Sequence, residues 1–218
     1  MIVSVLIMIL VLIIYILLYL YFPLGDFAGV IGTCCTIIGA FAIWFQLKRE
    51  KDLKEAEFIM SYNTIFIEND NFCTLEHQLE LFKKEYDNLI KKCTNENELN
   101  KLLQELNEKY EDIVNDTNVQ VVVNYLVYHE ALAALIKKGV LQIKTIDPLF
   151  NYRFFLIVNN PIVQSKELCA DYLYYRGCFW LYKQWSNFHK DKNLPILLDK
   201  FALENTNEYK TVNKTKKR

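Results

Sequence analysis

The chain has 218 residues, 52% of them hydrophobic, and its 25 basic and 26 acidic residues leave a net charge of −1. That balance supplies no basic field to hold a nucleic-acid backbone, and the length is enough to bury a substantial core. Six cysteines without a CxxC pair argue against a disulfide or metal framework and for a reducing compartment.

Residues 1–47 hold two apolar runs, Met1 to Phe22 and Phe27 to Leu47, with Asp26 as the only formal charge. A spanning helix needs about 20 apolar residues, because the hydrocarbon core is about 30 Å thick and helix rise is about 1.5 Å per residue. Both runs qualify. They predict a transmembrane hairpin with helices over about 1–22 and 27–47, joined by a turn at Pro23-Leu24-Gly25-Asp26. A cleaved signal peptide would need a basic start, a shorter apolar core and a small-residue cleavage site, which residues 1–22 do not supply. Lys48, Arg49, Lys51 and Lys54 follow the second run, whereas the turn carries no Lys or Arg. The positive-inside rule then puts both termini in the cytoplasm of a two-span protein, with a bacterial inner membrane as the expected location.

Gly25, Gly29, Gly32, Thr36 and Gly39 recur at steps of four and three along the second run, forming a stripe of small residues. Helices in lipid associate by close backbone approach, so the stripe is expected to seat the first helix, or alternatively a second copy of the chain in a homo-oligomer. Only Ser4, Thr33 and Thr36 offer polar side chains for a pore lining. Tyr15, Tyr19, Tyr21 and Trp44 fall where interfacial aromatic belts occur.

Residues 48–204 form the expected cytoplasmic helical domain, with 20 basic and 24 acidic residues. The second helix is expected to continue outward through Leu53, Ala56, Phe58, Ile59, Tyr62, Ile65 and Phe66 without a Gly or Pro. Two heptad-like stripes follow: Leu75, Leu79, Phe82, Tyr86, Leu89 and Cys93, then Leu99, Leu103, Leu106, Tyr110 and Ile113. With Asn95 as an N-cap between them, they predict an antiparallel helical hairpin. Val119 to Val140 reads as the central buried helix, opened by Asp116 or Thr117 and closed by Lys137-Lys138-Gly139. His129-Glu130 on that helix is not a zinc motif, because Ala133 stands where the second histidine is required.

Asp147-Pro148 reads as a cap and first-turn proline of a short helix ending before Asn160-Pro161. One long helix is expected over about 165–189, with Tyr172, Tyr175, Phe179 and Tyr182 on a face flanked by Trp180 and Trp185. Arg176 and Lys183 are too few to make that ridge a nucleic-acid platform. A short helix is expected over 194–203, then a basic disordered tail over 205–218. Lys48, Arg49, Lys51, Lys214, Lys216, Lys217 and Arg218 are the residues expected to meet an anionic membrane surface.

The span ending Ala42-Ile43-Trp44-Phe45-Gln46-Leu47, the following Ala56-Glu57-Phe58, Tyr62-Asn63 and Phe66, and the segment Tyr125-Leu126-Val127-Tyr128-His129-Glu130-Ala131-Leu132-Ala133 closing at Lys138-Gly139-Val140 carry a resemblance. With the aromatic spacing from Tyr175 to Trp185, they resemble a domain-of-unknown-function family of small bacterial and phage membrane proteins, some labelled phage abortive infection proteins. The resemblance covers most of 27–190; the extra amino-terminal span and the lysine tail depart from it. It implies a helical cytoplasmic module on a membrane anchor, with no catalytic residue to carry over and a hint of phage defence.

The expectation is therefore an all-α protein, an amino-terminal membrane hairpin followed by a cytoplasmic bundle. It is expected to bind membrane lipid and a protein partner, without nucleic acid, cofactor, metal or enzymatic reaction. The second expectation is a membrane-disrupting effector acting through oligomerisation of the hairpin. His77, His129 and His189 are too widely spread in sequence to suggest a catalytic set. Only convergence of His129, Glu130 and Arg176 in one cleft would do so.

Overall fold

The computed structural model describes residues 13–14, 16–17, 24–93 and 95–214. Among these residues there is no strand, and the chain divides into two compact units, Met1–Ala56 and Glu57–Arg218. The first expected span, 1–22, lies outside the described residues apart from Ile13, Ile14, Ile16 and Leu17, which are helical and exposed. Lys216, Lys217 and Arg218 also lie outside them.

Helix α1 runs unbroken over Leu24–Glu68. The expected turn is thus corrected at Leu24, Gly25 and Asp26, which already belong to the helix. No proline occurs between Leu24 and Pro148, so none interrupts the backbone bonds of α1. Within the first unit, Ile37, Ile38, Phe41, Ile43, Trp44, Phe45 and Leu47 are all exposed. Thr33 and Thr36 turn their hydroxyls back onto the carbonyls of Gly29 and Gly32, at 2.9 and 2.8 Å, so neither needs water as a partner.

The second unit is a helical bundle. Residues Ile59, Tyr62 and Phe66 of α1 are buried in it, and the Tyr62 hydroxyl donates to the Tyr128 carbonyl. Helices α2 (Asp70–Lys92) and α3 (Glu96–Lys109) form the expected antiparallel hairpin. They bury Phe72, Leu75, Leu79, Phe82 and Tyr86 against Leu99, Leu103 and Leu106. Asn95 caps α3 by accepting from the Asn97 amide at 3.0 Å. Lys109 and Tyr110 return to Glu85, each at 2.7 Å.

Helix α4 (Val119–Lys137) packs on α2 and on a later helix, α7 (Arg176–Asp191). It buries a stripe, Val122, Tyr125, Leu126, His129, Leu132 and Ala133, not its whole circumference. The residue opening it is Asn118 rather than Asp116 or Thr117. The Asn115 side chain accepts from the amides of Thr117 and Asn118, so residues 115–118 make an Asx turn before the helix begins. Its end is as expected: Gly139 takes φ +70°, its amide bonds the Ile136 carbonyl, and the Val140 amide bonds the Leu135 carbonyl. That pair of bonds is a Schellman closure.

Helix α5 (Ile143–Val158) starts earlier than expected, so Pro148 lies inside it and Asp147 is not its cap. Burial of Leu141 and Ile146 draws the preceding residues into the core, and the Asp147 carboxylate bonds to α7 instead. The helix stops at Val158, and Asn160 caps the next turn, α6 (Pro161–Val163), which continues as a π-turn over Gln164–Leu168. The single long helix expected over 165–189 is therefore two pieces, separated by turns before α7 begins at Arg176. Side-chain bonds fix the break: the Gln164 amide group donates to the Val158 and Phe201 carbonyls, and the Tyr175 hydroxyl donates to Glu167.

Residues 194–203 are not a helix, because Leu198 is left-handed (φ 54°) and only 3-10 turns follow at Asp199–Phe201 and Leu203–Asn205. Part of the expected disordered tail is ordered as α8 (Asn207–Lys214). Tyr209 packs its ring against Phe179 and Tyr182, and that apolar contact gives a polar segment a reason to fold.

Candidate functional site

The small-residue stripe lies within α1, Gly25 in its first turn and Gly29, Gly32, Thr36 and Gly39 beyond. Outside the local backbone of α1, no described atom comes within 4 Å of where a Cβ would stand at Gly29, Gly32 or Gly39. Lys48, Arg49 and Lys51 are exposed, with the Lys48 ammonium 5.8 Å from the Trp44 ring centre. Lys54 forms an ion pair with Glu50 at 2.7 Å, one turn back. Lys214 is exposed at the end of α8.

In the second unit the polar side chains divide among separate places. Arg153 on α5 is held at the bundle edge: its Nε pairs with Glu76 at 2.9 Å and its Nη1 donates to Asn63 at 2.7 Å. The same Glu76 oxygen accepts from the Tyr125 hydroxyl at 2.7 Å. His129 lies behind this network, fully surrounded by rings, with centres at 5.2 Å (Tyr125), 5.3 Å (Phe154) and 5.6 Å (Phe66). Its Nδ1 lies 2.9 Å from the Tyr125 carbonyl, an acceptor, so the proton sits on Nδ1 and Nε2 carries a lone pair with no described partner. Burial pushes its pKa down to about 4, against a smaller upward pull from the Tyr125 carbonyl, with the Arg153 charge adding to the fall. This ring is a neutral core group, out of reach of a substrate.

Glu130, the next residue, points elsewhere. Its carboxylate accepts from the Gly177 amide at 2.9 Å and from the Cys178 amide, both in the first turn of α7. Helix α7 has no side-chain cap of its own, so Glu130 satisfies two otherwise orphaned donors and places negative charge at the positive helix end. The approach is so close that a Cβ at position 177 would stand 2.2 Å from a carboxylate oxygen. Gly177→Ala is expected to displace the carboxylate and lose about 2 kcal/mol, read as a lower urea midpoint by Trp fluorescence; Glu130→Gln, keeping one acceptor, should lose about half that.

At the far end of α7, the Asp147 carboxylate accepts from Trp185 Nε1 at 2.7 Å and meets His189 Nε2 at 2.8 Å. The other ring nitrogen of His189 faces the Pro195 carbonyl at 3.2 Å, tying the following loop to α7. His77 instead lines a shallow surface groove with Glu80, Lys84, Lys91 and Tyr152. The three histidines therefore occupy three environments, and His129 and Glu130 do not share a cleft with Arg176. All six cysteines described are free thiols, and burial raises the Cys178 thiol pKa well above its ordinary value.

Arg176 lines a groove of about 460 Å³ with Tyr172, Leu173 and Trp180, walled also by Lys137 of α4 and by Thr211, Val212 and Asn213 of α8. The aromatic ridge expected from sequence is thus divided: Phe179, Tyr182 and Trp185 enter the core, while Tyr172 and Trp180 are only partly covered. Lys137 is the member that sequence reasoning missed; its ammonium sits 4.8 Å over the Trp180 ring. Its one advance signal was its place in the cationic last turn of α4.

Among the described residues two helices are long and apolar enough to cross a membrane, one over Ile31–Glu68 and one over Val119–Lys137. The second is α4, whose apolar stripe is packed inside the bundle. The apolar window of the first has no residue buried. Comparison with protein-family models, with characterised proteins and with solved structures gives no match.

Proposed function

We propose that this chain is a membrane-anchored, non-enzymatic helical protein that binds a protein partner at the cytoplasmic face of the membrane. The observation that carries the reading is the apolar part of α1, where Ile37, Phe41, Ile43, Trp44 and Phe45 are each more than half exposed. Contiguous apolar surface of that extent marks a site for lipid or another protein. The stretch from Phe27 to Leu47 is about 30 Å long at about 1.5 Å per residue, which matches a bilayer core. Lys48, Arg49 and Lys51 directly after it fit an anionic inner leaflet, with the termini inside and residues 1–22 as the other arm of a hairpin. A place in phage defence rests on the sequence resemblance alone.

Full-length protein is expected in the membrane fraction, resistant to alkaline carbonate and released by detergent, and a reporter after Arg218 is expected to be active only inside the cell. A freely water-soluble chain or an external reporter overturns the reading. In detergent, the full chain should retain a specific protein partner.

A second reading, a membrane-disrupting effector, draws on the small-residue stripe, where no described atom outside α1 lies within 4 Å of a Cβ position at Gly29, Gly32 or Gly39. Close self-association through that stripe would assemble the hairpins. Dye leakage on overexpression, abolished by Gly32→Leu, would favour it over the first.

A further inference from the structure

We propose that the turns of α1 directly beyond its apolar run bind the headgroup of phosphatidylethanolamine, with Lys48 and Lys51 taking the phosphate and Asp52 and Glu55 the primary ammonium. The proposal rests on the reading of α1 as a membrane span and adds the lipid class that the span selects. Lys48, Lys51, Asp52 and Glu55 stand at i, i+3, i+4 and i+7 and so share one face of the helix, with Trp44 one turn before them. Lys48, Lys51 and Asp52 are exposed, and Glu55 is partly covered. From the apolar run outward, that face presents a ring, then two cations, then two carboxylates.

Opposite charges four residues apart on a helix commonly cancel such rows by pairing, and the pairing is favoured when the acid precedes the base. Glu50 and Lys54 have that order and close to 2.7 Å. Lys48 with Asp52 and Lys51 with Glu55 have the reverse order, and among the described residues neither couple forms an ion pair. The Lys48 ammonium instead sits 5.8 Å from the Trp44 ring centre. Charge complementarity then favours an occupant with a negative group on the membrane side and a positive group about 6 Å further out, four residues at about 1.5 Å each. A phospholipid has that order, its phosphate beside the glycerol and its amine outward. A headgroup bearing phosphate alone would satisfy the lysines but set Asp52 and Glu55 against like charge. The quaternary nitrogen of choline has no N–H to donate to a carboxylate, whereas a primary ammonium has three.

The test uses the full chain reconstituted in phosphatidylcholine bilayers, to which phosphatidylethanolamine or phosphatidylglycerol with brominated acyl chains is added. Bromine quenches a tryptophan that it touches, and Trp44 is the one tryptophan in the apolar runs. Quenching of Trp44 against lipid fraction gives the relative binding constant of each headgroup. The expected result is that phosphatidylethanolamine binds roughly tenfold more tightly than phosphatidylglycerol or phosphatidylcholine, the scale of one charge-assisted hydrogen bond. Asp52→Lys with Glu55→Lys, both at positions that retain exposed surface, should invert the preference toward phosphatidylglycerol. Lys48→Gln with Lys51→Gln should weaken both lipids alike. Equal binding of the three headgroups, or a preference for phosphatidylglycerol in the unaltered chain, overturns the proposal while leaving the membrane anchor standing. So does a phosphatidylethanolamine preference that survives the change at Asp52 and Glu55. Absence of quenching by every brominated lipid would place Trp44 outside the bilayer and count against the anchor itself.

Discussion

Phe66→Ala is expected to remove about 4 kcal/mol from the stability of the bundle, the range of a fully buried aromatic replaced by a methyl group. Phe66 has no exposed surface. Its ring lies 5.0 Å from Tyr125, 5.6 Å from Phe72 and from His129, 5.7 Å from Tyr62, 5.8 Å from Tyr128 and 6.0 Å from Phe150, so four helices converge on one side chain. The Arg153 guanidinium lies over its face at 5.7 Å. Removing the ring leaves a cavity that rings held from several directions cannot collapse into, and it takes away the surface on which the arginine rests. Urea unfolding followed by the fluorescence of Trp180 and Trp185 should show the lower midpoint. Phe66→Leu, which retains most of the volume, should lose only about 1 kcal/mol. Equal effects of the two variants would show that filling this site matters less than its geometry implies.

The second large effect is a loss of stability in acid that belongs to one histidine. The folded bundle holds His129 neutral, with a pKa near 4, whereas the unfolded chain binds the proton near the ordinary value of 6.5. Above about pH 6.5 neither state carries that proton, and the histidine contributes nothing to pH dependence. Between about 6.5 and 4 the unfolded state alone is protonated, so stability falls as pH falls; below about 4 the loss is complete, at about 3 kcal/mol. In His129→Phe, whose ring keeps contact with Phe66, Tyr125 and Phe154, this component should vanish while the contribution of the carboxylates remains. Parallel stability curves for the two proteins over pH 4–6.5 would show that the ring is not held neutral.

The helical hairpin of α2 and α3 and the end of α4 were legible because they depend on local pattern. Leu75, Leu79, Phe82 and Tyr86 repeat at helical steps, and only a residue tolerant of positive φ suits the position of Gly139. The break before α7 was not legible, since Tyr172 to Trp185 continue the helical period, while the bonds that fix the break, Gln164 to Phe201, Glu130 to the start of α7 and Tyr175 to Glu167, follow no helical spacing. Pro148 misled for a related reason. It is a good first-turn residue, but burial of Leu141 and Ile146 extended the helix upstream and placed it in the interior. Of the groove, Tyr172, Arg176 and Trp180 stood out in sequence. Lys137 and the wall from α8 did not, because no local pattern brings residues 137, 176 and 211 together.

The bond from Glu130 to α7 has a bearing on how the bundle assembles. The opening amides of one helix wait for an acceptor that lies 47 residues earlier in the chain, on another helix. An isolated peptide of α7 would begin with frayed ends, and its start becomes defined only after the two helices have met. Position 130 is thereby coupled to the length of a neighbour's secondary structure, and position 177 must stay small for that message to pass.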